Sequence, residues 1–268
     1  MKERRSLYTG FFYPASRNKI KELFDFFTDD KVNICNSINK RMGLIVPHAG
    51  YMYCAKTALN AYKSVFSETK IKRVIIMGPD HNNMAKPISV YGGGPWITPM
   101  GKVEIDYDFV KFLIGNEGFY EDSNGHIKEH SIEVQLPYLQ YFMEDNFKIV
   151  PIIIGNQSFG NIMKISEILE KNTEKGDLII ASTDLNHYEN QKITHEKDYK
   201  IIEAVRRRDS NKLYEIIEQD KISMCGYGAV SVLLNMNFSD VSVISHSTSA
   251  EVNGNFSSVV GYMSALFN

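Results

Sequence analysis

Three cysteines, Cys35, Cys54 and Cys225, form neither a CxxC pair nor an even set. That argues against a disulfide framework and for a reducing compartment. Long apolar runs are missing too: the clean ones, such as Ile149 to Ile154, have strand length, too short to cross a bilayer. The basic start, Met-Lys-Glu-Arg-Arg, is followed by a short stretch from Leu7 to Ala15 broken by Tyr, Thr, Gly and Pro, which is not the core of a signal peptide. A net charge of −2 offers no field to nucleic acid or an anionic membrane. The expectation is a soluble, cytoplasmic protein with neither among its partners. There is no P-loop, no GxGxxG behind a strand, no GxSxG and no HExxH. The Gly92-Gly-Gly turn precedes no helix, so it is weak as a phosphate cradle. No repeat, linker or low-complexity segment divides the chain, and one domain over 1–268 is expected.

What is present is an ordinary apolar content of 43%, enough for a globular core, arranged in a recurring design. Met42 to Val46 reads as a short buried strand that stops at Pro47, which has no N–H for the ladder, and hands over His48. Val74 to Met77 is followed by Gly-Pro-Asp and His81. Asp177 to Ser182 is followed by Thr-Asp-Leu-Asn and His187. Three apolar strands thus each deliver a histidine at the carboxyl end, the edge where open α/β sheets bind ligands.

Between these come the other elements. Ser16 precedes a helix with Ile20, Leu23, Phe24 and Phe27 on one face. Asp29 to Lys40 is polar loop. The small residues Ala55, Ala58 and Ala61 mark a helix from Tyr53 to Phe66 that can lie close on a sheet, the crossover between the first two strands. Ile88 to Tyr91 is a strand, Trp96 to Ile105 a hairpin, Asp106 to Ile114 a helix and Glu117 to Gly125 a loop. Glu129 to Tyr141 reads as a helix kinked at Pro137. Phe147 to Ile154 is a strand, and Ile162 to Leu169, Thr194 to Arg207 and Asn211 to Glu218 are helices. Ser223-Met-Cys-Gly-Tyr-Gly228 opens a helix through Leu234, and Val241 to Ser245 is a strand. Ser257 to Phe267 is a last strand, expected at an antiparallel edge.

A single histidine on a loop is more often a satisfied loop residue than a ligand. His48 and His81 differ because both leave strands joined by one crossover helix. Neighbouring parallel strands lie about 5 Å apart, so two imidazoles leaving them can reach one ion. Imidazole alone does not choose among Zn, Fe, Cu and Ni. Cys225 is the third candidate ligand: it alone of the cysteines stands in a Gly-rich turn before a helix, whose N-terminus favours thiolate. Cys35 and Cys54 read as small buried or loop residues. Asp184 with His187 can move a proton, the carboxylate fixing the imidazole tautomer, or Asp184 can simply cap its turn. Asp80 can orient a ligand from behind. His130 and Glu133 share a helical face, with no role assigned.

The motifs Leu-Ile-Val-Pro-His-Ala-Gly-Tyr, Ile-Met-Gly-Pro-Asp-His, Glu-His-Ser-Ile-Glu-Val-Gln-Leu-Pro-Tyr and Ser-Thr-Asp-Leu-Asn-His-Tyr, with the Phe-Tyr-Pro-Ala entry and the Met-Cys-Gly turn, resemble the Memo family. They run in order from Tyr13 to Gly226. The resemblance implies a single α/β domain with a central mixed, mostly parallel sheet and helices on both faces, like the class III extradiol ring-cleaving dioxygenases. It implies a metal site from His48, His81 and Cys225, with Asp184 and His187 lining the same pocket and His187 matching the dioxygenase acid/base. Cys225 stands where those enzymes have a carboxylate, which favours Cu, Zn or a thiolate-bound Fe. Ring cleavage is therefore not licensed by the fold. The resemblance also implies a peptide or small-molecule ligand and, for microbial members, association with a radical-SAM protein.

Three readings follow. The first is a metal-dependent oxidoreductase, with Fe(II) or Cu ahead of Zn, acting on a small substrate. The second is a non-catalytic peptide- or small-ligand-binding module that keeps the pocket, its groove lined by Phe12, Tyr13, Tyr51, Tyr53 and Trp96. The third is a hydrolase with Cys225 as nucleophile and His187 or His81 as base.

Overall fold

The apolar runs that end at Pro47 and Pro79 are both strands of one mixed sheet in the computed structural model. The structure describes residues 2–28, 41–65 and 71–268. The loop expected from Asp29 to Lys40, with Cys35, and the helix end at Phe66 lie outside the described residues. Four parallel strands form the centre, in the order Lys148–Ile154, Arg73–Pro79, Asp177–Ser182 and Met42–Val46. Apart from Lys148 and Arg73 at their starts, every residue of these strands is buried. Burial on both faces is why they read as unbroken apolar runs rather than as alternating ones.

Helices cover both faces. Tyr51–Val65 packs on Met42–Val46 and on the two antiparallel strands beyond it, with Ala55, Ala58 and Ala61 buried at the contact. Tyr227–Asn235 packs on Asp177–Ser182 and Arg73–Pro79, and against the helices Phe159–Asn172 and Ser210–Gln219. The helices Arg17–Thr28, Tyr107–Ile114 and Gln191–Arg206 also fall where the apolar periodicity places them, as does the hairpin Trp96–Thr98 with Gly101–Ile105.

Four expectations are corrected. The strands that deliver His48 and His81 are not neighbours: Asp177–Ser182 lies between them, with Ser182 opposite Val46 and Ala181 opposite Met77. A helix crossover reaches one strand position or two with equal ease, so the spacing alone does not decide. Val259–Phe267 is antiparallel but no edge; it pairs with Met42–Val46 on one side and Val241–Thr248 on the other. Glu117 to Gly125 is not all loop, since it holds the strand Tyr120–Glu121 and the start of the short helix Ser123–Ile127. Finally, Glu129 to Ile132 is a turn, followed by the 3-10 turn Glu133–Gln135 and the helix Leu136–Met143. Pro137 stands in the first turn of that helix, where its missing N–H is not needed, so it starts the helix rather than kinking it.

Candidate metal site

His48 stands two residues beyond its strand on a turn held by Asp184, whose Oδ1 accepts the His48 N–H at 2.9 Å. The His48 ring is buried. Its Nδ1 lies 3.0 Å from Ser182 Oγ and its Nε2 lies 3.2 Å from Cys225 Sγ. His81 leans in from two strands away, so that the two rings sit 5.1 Å apart at 88°. Glu129 grips it twice: Oε2 accepts the His81 N–H at 2.8 Å and Oε1 lies 2.8 Å from Nδ1. A carboxylate accepts only, so Nδ1 carries the hydrogen and Nε2 is left toward the centre.

Cys225 enters from the other side, on the turn before Tyr227–Asn235. Gln157 holds this turn, donating to the Cys225 carbonyl at 2.8 Å and accepting from Gly228 N–H at 2.7 Å. Gly226 N–H donates to Thr183 Oγ1, and a Cβ on Gly226 would meet the Ser182 carbonyl at 2.7 Å. Only glycine allows the turn this close to the strand end. Asp184 N–H donates to Cys225 Sγ at 3.3 Å. The ligand atoms of His48, His81 and Cys225 all lie within 4.8 Å of one another. This is a soft thiolate with two imidazoles whose outer nitrogens are tied back, a donor set that fits Zn, Cu or Fe.

Electrostatics point the same way. Burial pushes the Cys225 thiol up, but the His48 imidazole and hydrogen bonds with His48 and His81 outweigh it and hold the thiol at about 6. Burial pushes His81 down, but its bonds with Cys225 and Glu129 raise it to about 10. Burial pushes Glu129 up, and its bond with His81 and the His81 charge hold it down at about 2. Protons here occupy the place a cation would take, so ion binding must release them. In the metal-free protein, the rate of iodoacetamide labelling at Cys225 should rise as pH climbs through about 6. His48→Ala should move that midpoint up toward the range of a free thiol; an identical midpoint in both proteins would contradict the pairing.

The remaining predicted residues divide. His187 is half-buried and opens the short strand His187–Glu189. Its Nδ1 lies 2.9 Å from the Ser223 carbonyl and its backbone N–H donates to Ser223 Oγ at 2.8 Å. The carbonyl, not Asp184, therefore fixes its tautomer, and Nε2 meets no partner among the described residues. Asp184 does what a turn cap does, and burial raises its pKa. Asp80 also caps its own turn, accepting from Asn82 and Ala85 N–H, and among the described residues it is Glu129 that stands behind His81. His130 and Glu133 part company because residues 129–132 are not helical. The His130 ring lies 4.5 Å from His81, 5.2 Å from His48 and 4.6 Å from Phe12. Burial, then the nearby His48 charge, lowers its pKa to about 3, so it is a neutral wall. Atoms of His81, Glu129 and His130 also cluster within 4.8 Å, but this group shares His81 and is held by its own hydrogen bonds. Of the aromatics expected to line a groove, Tyr13, Tyr51 and Trp96 are core. Cys54 is buried, with its thiol donating to the Ala49 carbonyl.

Glu129, Ser182 and Gln135 stand out only in the structure. Glu129 reads in sequence as a capping residue, and the other two carry no signal beyond lying in quoted motifs.

The sequence model of the Memo family, described as Memo-like protein, matches residues 4–266. A MEMO1 family protein of Thermotoga neapolitana is 39% identical over 278 residues, covering 99% of each chain. One from Thermotoga maritima is 38% identical over 275 residues, covering 98% of this chain and 99% of its own. A third, from Saccharolobus islandicus, is 38% identical over 231 residues, covering 83% and 81%. Among solved structures, an uncharacterized protein from Escherichia coli K12 superposes with a TM-score of 0.53 at 9% identity, covering 85% of this chain and 99% of that one. That likeness concerns the fold alone.

Proposed function

The chain belongs to the Memo family, and from that premise we propose that it is a metal-binding redox protein, an oxidoreductase acting on a small substrate through His48, His81 and Cys225. The observation that carries this reading is the convergence of three donor atoms from three separate segments within 4.8 Å. Two of the three are imidazoles whose Nδ1 is already engaged by Ser182 and Glu129. When bound, an Fe or Cu ion would supply the electron-transfer chemistry that no side chain here offers; Zn is the third choice. Asp184 keeps the site together from beneath, holding the His48 turn through its carboxylate and Cys225 through its N–H. His187, whose Nε2 meets no partner among the described residues, is the group to accept or return a substrate proton. The setting proposed is the cytoplasm; among the described residues no helix is long and apolar enough to cross a membrane. A radical-SAM protein is a proposed functional associate.

Untagged protein loaded anaerobically with Fe(II), Cu(I) or Zn(II) and analysed by mass spectrometry should carry one ion per chain. A protein that stays metal-free under all three loads would remove the reading. The binding-module alternative rests on half-buried Phe12 beside His130. Titration with peptides, with and without His48→Ala, separates it: binding indifferent to His48 places any groove elsewhere.

A further inference from the structure

Ser182 ends the strand that separates the two histidine-bearing strands, and its side chain is fully buried behind the His48 ring. A serine hydroxyl has one hydrogen to give and two lone pairs to offer. Three partners surround this one: the Ser131 carbonyl at 2.7 Å, Gln135 Nε2 at 2.8 Å and His48 Nδ1 at 3.0 Å. The carbonyl can only accept, so it takes the hydrogen. The orientation of the Gln135 amide is set independently. Its Nε2 also faces the Pro47 carbonyl at 2.9 Å, another pure acceptor, and its Oε1 accepts from Tyr62 O–H at 2.9 Å. Gln135 therefore donates to Ser182 and fills one lone pair. The lone pair that remains faces His48 Nδ1, which must carry a hydrogen.

We propose that Ser182 and Gln135 are positioning residues that keep the His48 hydrogen on Nδ1. Nε2 is then the one ring atom of His48 that takes a metal ion or exchanges a proton with Cys225. The purpose of the lock rests on the metal-site reading; the hydrogen count does not, since it belongs to the metal-free chain. The His81 Nδ1 hydrogen is held by a different route, through the Glu129 carboxylate. A neutral hydroxyl stands behind one donor and a carboxylate behind the other. The inserted strand therefore carries the device that orients His48.

The test is a long-range proton–nitrogen correlation spectrum of the histidine rings in metal-free, 15N-labelled protein. His48→Gln identifies the signals. The wild type should show His48 with its hydrogen on Nδ1. In Ser182→Ala the hydrogen should redistribute to Nε2, and Zn(II) affinity, read by chelator competition, should fall about 10–100-fold. Gln135→Met, which frees Ser182 to turn its hydroxyl toward the ring, should give a mixture of tautomers and serves if Ser182→Ala does not fold. A wild type with no hydrogen on His48 Nδ1, or variant spectra unchanged from wild type, overturns the proposal. A wild type that binds no Zn(II) yet loses its Nδ1 hydrogen in Ser182→Ala upholds the lock and removes the metal reading alone.

Discussion

Cys225→Ser is expected to give a folded protein that no longer retains its ion. Cys225 is half-buried and its sulfur faces polar groups, among them His48 Nε2, the Asp184 N–H and Thr183 Oγ1. Serine is close in size and keeps the turn, so stability should change little. The site, however, loses its only anionic donor and its only soft one. An alcohol is not ionised where this thiol, held at about 6, is. The loss in affinity should exceed the roughly 10–100-fold typical of removing a partner behind a ligand. Mass spectrometry after anaerobic loading, beside a thermal melt, reads both quantities. Wild-type metal content in the folded variant would mean that the ion sits elsewhere.

Glu133→Ala should be the most destabilising single change near the site. The carboxylate is buried and accepts from four groups: Arg4 Nη1 at 2.7 Å, Leu7 N–H at 3.0 Å, Tyr8 N–H at 2.8 Å and Tyr13 O–H at 2.9 Å. Arg4 in turn donates to the His126 and Glu129 carbonyls at 3.0 Å and lies 3.8 Å over the Trp96 ring. One carboxylate thus fastens residues 4–13 to the turn that presents Glu129 and His130. Removing it strands a buried guanidinium, at a cost of about 3–5 kcal/mol. In a chain of this length that lowers Tm on the order of 10 °C. The double change Arg4→Met with Glu133→Leu leaves no lone charge and should recover much of the loss. Calorimetry on Glu133→Ala and the double variant decides; a Glu133→Ala shift below about 2 °C would mean the clamp carries little stability. Tyr8 and Phe12, which flank His130, belong to the clamped segment, so the site wall should loosen with it.

The delivering strands were legible because burial on both faces leaves unbroken apolar runs, and because proline and glycine mark where each run stops. That placed His48, His81 and His187 at one edge of the sheet, while Cys225 was marked by its Gly-rich turn before a helix. The strand order was not legible, since nothing local distinguishes a crossover to the next strand from one that skips a place. The skipped place is filled by Asp177–Ser182, which brings Ser182 behind His48. Glu129, Gln135 and Glu133 were hidden for a related reason: each acts on a partner far away in sequence. Reading His130 and Glu133 as one helical face failed because the segment is a turn, where helical spacing does not apply. Pro137 misled in the same place. Asp184 was legible as a residue but not as a role, because a carboxylate after a strand can hold backbone or imidazole equally well.

The account depends on one ion sharing His48, His81 and Cys225. Crystals of anaerobically loaded, untagged protein measured at the Fe, Cu and Zn absorption edges address this directly. The account predicts one anomalous peak within about 2.0–2.3 Å of His48 Nε2, His81 Nε2 and Cys225 Sγ. A peak lying elsewhere in the loaded protein, with these three side chains where they stand now, would contradict it.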